Sequence, residues 1–180
     1  MRTLIACLVL FLTPPLAAAQ TGYRPPDVAA QHAAMQRLAP LVGRWQGEAS
    51  LLHPQQMTVF QSEDIEFALD GAAIIVRGTG YDTTERSGTP VFQALAVISY
   101  DDQRSIYEFR SYAMGRATTA TGEVLGDGQF RWSINTGGPV RIRYTITVSG
   151  DTWNEIGEMS SDGGATWQQT IDMNLHRVRE

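Results

Sequence analysis

The sequence predicts an all-β protein: a single antiparallel up-and-down β-barrel of about ten strands, preceded by a short N-terminal helix. Three observations predict it. From Gly43 onward, apolar and polar residues alternate with period two, so that one face of each segment is greasy and the other wet. Turn signals punctuate that pattern about every 8–12 residues, as all-β domains require. A meander of this length must also hide its edge strands, and closing the sheet on itself removes them. A β-sandwich is the rival architecture.

The chain opens with an export signal, 1–19. Arg2 supplies the positive start, Leu4 to Leu12 a short apolar run, Pro14 and Pro15 a break, and Ala17-Ala18-Ala19 a small-residue cleavage site before Gln20. The apolar run is too short for a permanent membrane span. Cys7 sits near its start, whereas a lipidation cysteine would follow it. The expected product is a soluble periplasmic or secreted protein with no membrane span.

Residues 20–42 form a leader and a capping helix. Pro26 suits the first helical turn, and Met35, Leu38 and Leu41 give the segment an apolar face that Pro40 ends. The barrel domain is 43–180. Its first strand places Trp45, Gly47, Ala49 and Leu51 together. The second, Met57 to Leu69, places Met57, Val59, Ile65, Phe67 and Leu69 together and turns at Asp70-Gly71. Strands follow over Ala72–Tyr81, Val91–Tyr100, Ser105–Tyr112, Arg116–Glu123, Gln129–Ile134, Val140–Val148, Thr152–Met159 and Thr166–Arg179, with a loop over Thr83–Pro90. In the last strand Trp167, Ile171, Met173, Leu175 and Arg177 share one phase.

Composition narrows the function classes. The net charge is −5, and one unit more negative once Arg2 leaves, which is ill-suited to nucleic acid. The one cysteine lies in the signal, so the mature chain has no disulfide and no thiolate chemistry. His32, His53 and His176 are placed on a helix, a loop and the last strand, without the three or four convergent ligands of a zinc site. No Gly-x-Ser-x-Gly and no phosphate loop occurs, and no cofactor is implied.

Gly43-Arg44-Trp45 resembles the Gly-x-Trp opening of lipocalins and the wider calycin barrels. In those folds an arginine near the chain end packs over the tryptophan, a role the resemblance gives to Arg177. Leu38 to Trp45, Ser99-Tyr100-Asp101, Asp162 to Trp167 and Arg177-Val178 together resemble the bacterial domain-of-unknown-function 1579 family, calycin-like barrels with no established reaction. Leu41 to Glu48 with His53-Pro54 resembles nitrobindin-type haem barrels, which bind haem through a late-strand histidine. Here that histidine is His176, out of phase with the apolar face. Ser160 to Trp167 matches the Asp-box of sialidases, and one copy without a repeat implies a hairpin rather than a propeller.

The site reading follows from barrel width: about ten strands leave more room than the eight that side chains fill. The expected ligand is small and apolar or amphipathic. Its candidate contacts are Trp45, Glu63, Phe67, Phe109, Trp132, Tyr144 and Trp153, while Gly43, Trp45 and Arg177 are expected to close the barrel. Gln61 and Glu63 fall on the inward phase, although a bulge between them would turn them out. The same caution covers Arg77, Glu108, Arg110 and Tyr112. Glu63 and Glu155 read as two separate polar residues, since nothing in the sequence brings them together. The alternatives are a hydrolase or isomerase using Glu63, a haem barrel, and a protein-interaction module.

Overall fold

The computed structural model describes residues 24–53, 56–82 and 88–179. The expected export signal lies outside the described residues, as do Pro54 and 83–87 of the expected loop. Ten antiparallel strands are described: β1 Gly43–Leu51, β2 Met57–Ala68, β3 Ala73–Asp82, β4 Phe92–Asp101, β5 Ile106–Ala113, β6 Arg116–Gly126, β7 Gln129–Asn135, β8 Arg141–Ser149, β9 Thr152–Ser160 and β10 Gln168–Arg177. Each pairs with its sequence neighbours, and β10 returns to β1, so the sheet is a closed barrel.

Alternation explains which side chains fill it. On β2, Val59, Gln61, Glu63 and Ile65 are buried, while Thr58, Asp64 and Glu66 between them are not. Trp45, Ile65, Ile74, Ile98, Phe130 and Leu175 are almost wholly enclosed. A Leu, Ile or Phe withdrawn this completely contributes about 1.5–3 kcal/mol of hydrophobic stabilisation.

One end of the barrel is plugged. Helix α1, Val28–Gln36, is capped by the Asp27 carboxylate, which accepts from Ala30 N at 3.0 Å. Pro26 therefore precedes the cap, and the expectation that it occupies the first turn is corrected. Met35, Leu38 and Leu41 are buried over the barrel end. The helix is fastened to the β4–β5 turn: Asp102 accepts from Asp27 N at 3.0 Å and from Gln31 Nε2 at 2.7 Å. Tyr107 Oη donates to Ala34 O at 2.8 Å. Among the described residues no helix covers the other end, and none is long and apolar enough to cross a membrane.

Two local expectations are corrected. Leu69 does not join the inner face, being 77% exposed, whereas Met57 keeps the inward phase opposite Leu51 and is 47% exposed because it is the first residue of β2. Leu69 and Asp70 both take positive φ, 52° and 55°, so the chain leaves β2 through a short 3-10 turn, Leu69–Gly71, that swings Leu69 into solvent. Trp167 is not in phase with Ile171, because β10 shifts register between Gln169 and Ile171. Trp167 lies outside, where the Arg143 guanidinium stacks 3.8 Å above its ring and pairs with Glu158 at 2.6 Å.

The Asp162 hairpin leads into β10. Its carboxylate accepts from Thr166 N at 2.9 Å, Thr166 Oγ1 at 2.6 Å and Ser160 Oγ at 2.7 Å. These bonds, the Thr166 hydroxyl first, hold its pKa far below the usual carboxylate range. A depressed carboxyl stabilises the fold above its unfolded pKa and loses that contribution as pH falls through the folded value. Asp162→Asn is therefore expected to lower Tm at neutral pH, with the gap to wild type closing below about pH 4. A constant gap across an acid series of thermal melts would refute the assignment.

Candidate functional site

The site is the barrel interior, and its closed end comes first. Trp45 and Arg177 are direct partners across the β1–β10 seam. The Arg177 guanidinium lies 4.0 Å over the Trp45 ring, within cation–π range. It also donates from Nη1 to Val42 O at 2.7 Å and from Nη2 to Pro40 O at 3.0 Å, and meets Asp151 at 3.6 Å. The Trp45 indole N–H donates to Leu41 O at 2.9 Å. Gly43 sits at φ 135°, and a Cβ there would run into Arg177 Nη1, so only glycine lets the guanidinium reach the carbonyls behind it.

Further in, the lining changes character. Gln61, Glu63 and Glu155 are buried at 4%, 8% and 9% exposure. The pairings of β2 with β1 and β3 run without a bulge across Gln61 and Glu63, which leaves both facing inward. Gln61 Nε2 donates to Glu63 Oε1 at 2.7 Å. Gly78, opposite Glu63 on β3, makes room for the carboxylate: a Cβ there would come within 2.8 Å of Oε1.

Both carboxyls are shifted toward neutrality. Burial pushes Glu63 up to about 7, against the opposing Gln61 hydrogen bond. Burial pushes Glu155 up to about 8, the Glu63 charge adds to the rise, and the indole N–H groups of Trp132 and Trp153 oppose it. The two glutamates, expected to be separate polar residues, are thus close enough to feel each other. Trp153 Nε1 is buried without a full hydrogen bond, so its pull on Glu155 is that of an N–H dipole at poor geometry.

Beside the carboxyls stands an aromatic wall. Phe109 and Trp132 stack with centroids 4.3 Å apart and planes 4° from parallel, and Trp132 stacks on Tyr144 at 4.0 Å and 13°. The Tyr144 hydroxyl is also pushed up, by burial first and then by Glu155. Trp132 and Tyr144 point inward yet stay only half-buried, so the wall borders accessible space.

The structure therefore sorts the candidate residues. Glu63, Phe109, Trp132 and Tyr144 line the polar centre and its wall, and Trp153 joins them through its N–H. Trp45 has its surroundings filled by Arg177, by Leu41 and by Trp153, whose ring centroid is 5.6 Å away. Phe67 packs into the core opposite Ile74, near the turn at Leu69 and away from the wall. Arg77, Glu108, Arg110 and Tyr112 lie on the outer phase, where Arg77 pairs with Glu66 and Arg110 with Glu108. His176 is exposed opposite Gln46 and offers no interior axial ligand for haem. No group of three or more potential metal ligands occurs among the described residues. A separate depression of about 710 Å3 at the open rim, lined by Phe92, Tyr112, Met114 and Arg116 among others, does not include the carboxylates.

No protein-family model and no curated protein matches the chain. Among solved structures, the S-type phycobiliprotein lyase CPES from Guillardia theta is similar with TM-score 0.56 at 14% identity, over 82% of this chain and 93% of that one. A protein of unknown function from the DUF3598 family of Nostoc punctiforme aligns over 80% of this chain and 98% of that one, at 9% identity and TM-score 0.25. The first likeness concerns fold alone, and with the closed ten-strand ring it makes this chain a calycin-like β-barrel.

Proposed function

We propose that the protein is an exported barrel that binds a small, partly apolar ligand in its interior. The observation that carries this reading is the pair of half-buried rings, Trp132 and Tyr144, stacked on the buried Phe109 and standing beside buried polar groups. Ligand sites are mostly apolar concavities with a few polar groups that fix orientation, and this interior has that composition. The similar barrel named for lyase activity shares the architecture and lends the binding reading a precedent of shape. Kinship with the domain-of-unknown-function 1579 barrels rests on the opening and closing motifs, and periplasmic or secreted residence on Arg2 to Ala19.

Native mass spectrometry of the protein purified from its own host tests the reading. A bound mass is expected in wild type and its share is expected to fall in Trp132→Ala, which removes the middle ring of the stack. A uniformly unliganded mass would defeat it. A second reading, a hydrolase or isomerase, is favoured by one observation: a Glu63 carboxyl at about 7 is poised to give and take protons near neutrality. Unchanged turnover of any detected substrate in Glu63→Gln would remove it.

A further inference from the structure

Outside the interior, the rim of the barrel is notched. The pairing of β4 with β5 stops at Ala94 and Ala113, yet β4 runs on to Phe92, and β5 turns into β6 through Met114 and Gly115. The depression of about 710 Å3 lies in the gap left there. Its lining comes from both faces of the wall: Phe92, Ala113 and Arg116 share the inner phase, and Gln93, Tyr112 and Ala117 the outer one. Three features of this lining point the same way. Arg116 is its one charged side chain, and no acid lines it. Elsewhere on the wall Arg77, Arg104, Arg110, Arg131 and Arg143 each pair with a carboxylate, whereas the exposed Arg116 guanidinium has no partner among the described residues. The Tyr112 and Phe92 rings stack on no other ring, and Tyr112 is 58% exposed, so their faces are open. Met114 holds φ 52° beside Gly115 at 74°, in a two-residue turn where Asn, Asp or Gly costs least. Its side chain is 77% exposed, so no burial offsets that cost, and strain kept in this way marks contact with something outside the fold.

We propose that the notch binds a flat aromatic carboxylate, its anion on the Arg116 guanidinium and its ring against Tyr112, Phe92 and Met114. The guanidinium fork matches a carboxylate, and a thioether makes favourable contacts with ring edges. A neutral ring leaves Arg116 unused, and a cation meets a like charge. Because Arg116 is exposed, water screens the pair, so charge gives a severalfold preference and the apolar lining carries the rest of the affinity. This site does not rest on the interior-binding reading, and either can fail without the other.

Naphthoate and the neutral naphthamide, titrated calorimetrically and by NMR into protein labelled on its methionine methyls, test this. Naphthoate is expected to bind wild type at least about threefold more tightly than naphthamide at low salt, and to shift the Met114 methyl signal upfield through the ring current. In Arg116→Gln the preference is expected to vanish while naphthamide binds as before, which separates lost charge recognition from lost folding. Met114→Asn is expected to weaken both probes yet raise Tm, since Asn suits the left-handed turn position; a lower Tm would show that the methionine serves the fold instead. Equal binding of the two probes to wild type, or no binding of either, would overturn the proposal. So would naphthoate that moves the Met57 and Met159 methyls and leaves Met114 still, a result that would place it in the lumen and favour the interior reading.

Discussion

Trp45→Ala is expected to lower unfolding free energy by about 3–5 kcal/mol, the usual cost of emptying a fully enclosed tryptophan site. The loss has identifiable parts. The indole is 0% exposed, donates to Leu41 O and supports the Arg177 guanidinium. Arg177→Ala gives up two charge-assisted bonds to carbonyls, each worth about 1.5–3 kcal/mol, and the ring contact, about 0.5–2 kcal/mol. Because the two side chains touch, their effects should not add. A denaturant-based double-mutant cycle is expected to show coupling of at least about 0.5 kcal/mol. Additive losses would mean that the guanidinium holds the Val42 and Pro40 carbonyls without help from the ring. Arg177→Lys keeps the charge but not the two-pronged geometry, and should recover only part of the deficit.

The second large effect is a pH-dependent gain. A carboxyl whose folded pKa lies above its unfolded value leaves stability intact below the unfolded value and erodes it as pH rises toward the folded one. Glu63 rises from 4.5 to about 7 and Glu155 from 4.5 to about 8. The unliganded fold should therefore weaken from pH about 4.5 to about 8, by on the order of 3 kcal/mol for Glu63 alone. Glu63→Gln/Glu155→Gln removes the titrating groups at nearly constant volume. It is expected to be more stable than wild type at pH about 9 and to lose that advantage near pH 4. Parallel stability curves for the two proteins across this range would show that the carboxyls are hydrated, not withdrawn.

The ring of strands was legible because each strand is amphipathic on its own, so parity alone assigns faces: Val59, Ile65, Met173 and Leu175 lie inside as their phase demands. The errors fall where parity breaks. Nothing in Gln168-Gln169-Thr170-Ile171 announces the register shift that puts Trp167 outside, since one extra residue changes the phase without changing the composition. Likewise Leu69 looks like a core residue until two successive left-handed residues turn it away. The meeting of Glu63 and Glu155 was illegible for another reason. It depends on how far β2 and β9 are staggered across the intervening β1 and β10, a global property of the ring that no local pattern encodes.

The plug formed by α1 and Leu38–Leu41 gives the barrel a direction. On the binding reading proposed above, the end filled by α1 is barred, so a ligand passes through the end away from it, whichever group leads going in must trail coming out, and anything longer than the bore leaves its tail in reach of another molecule outside.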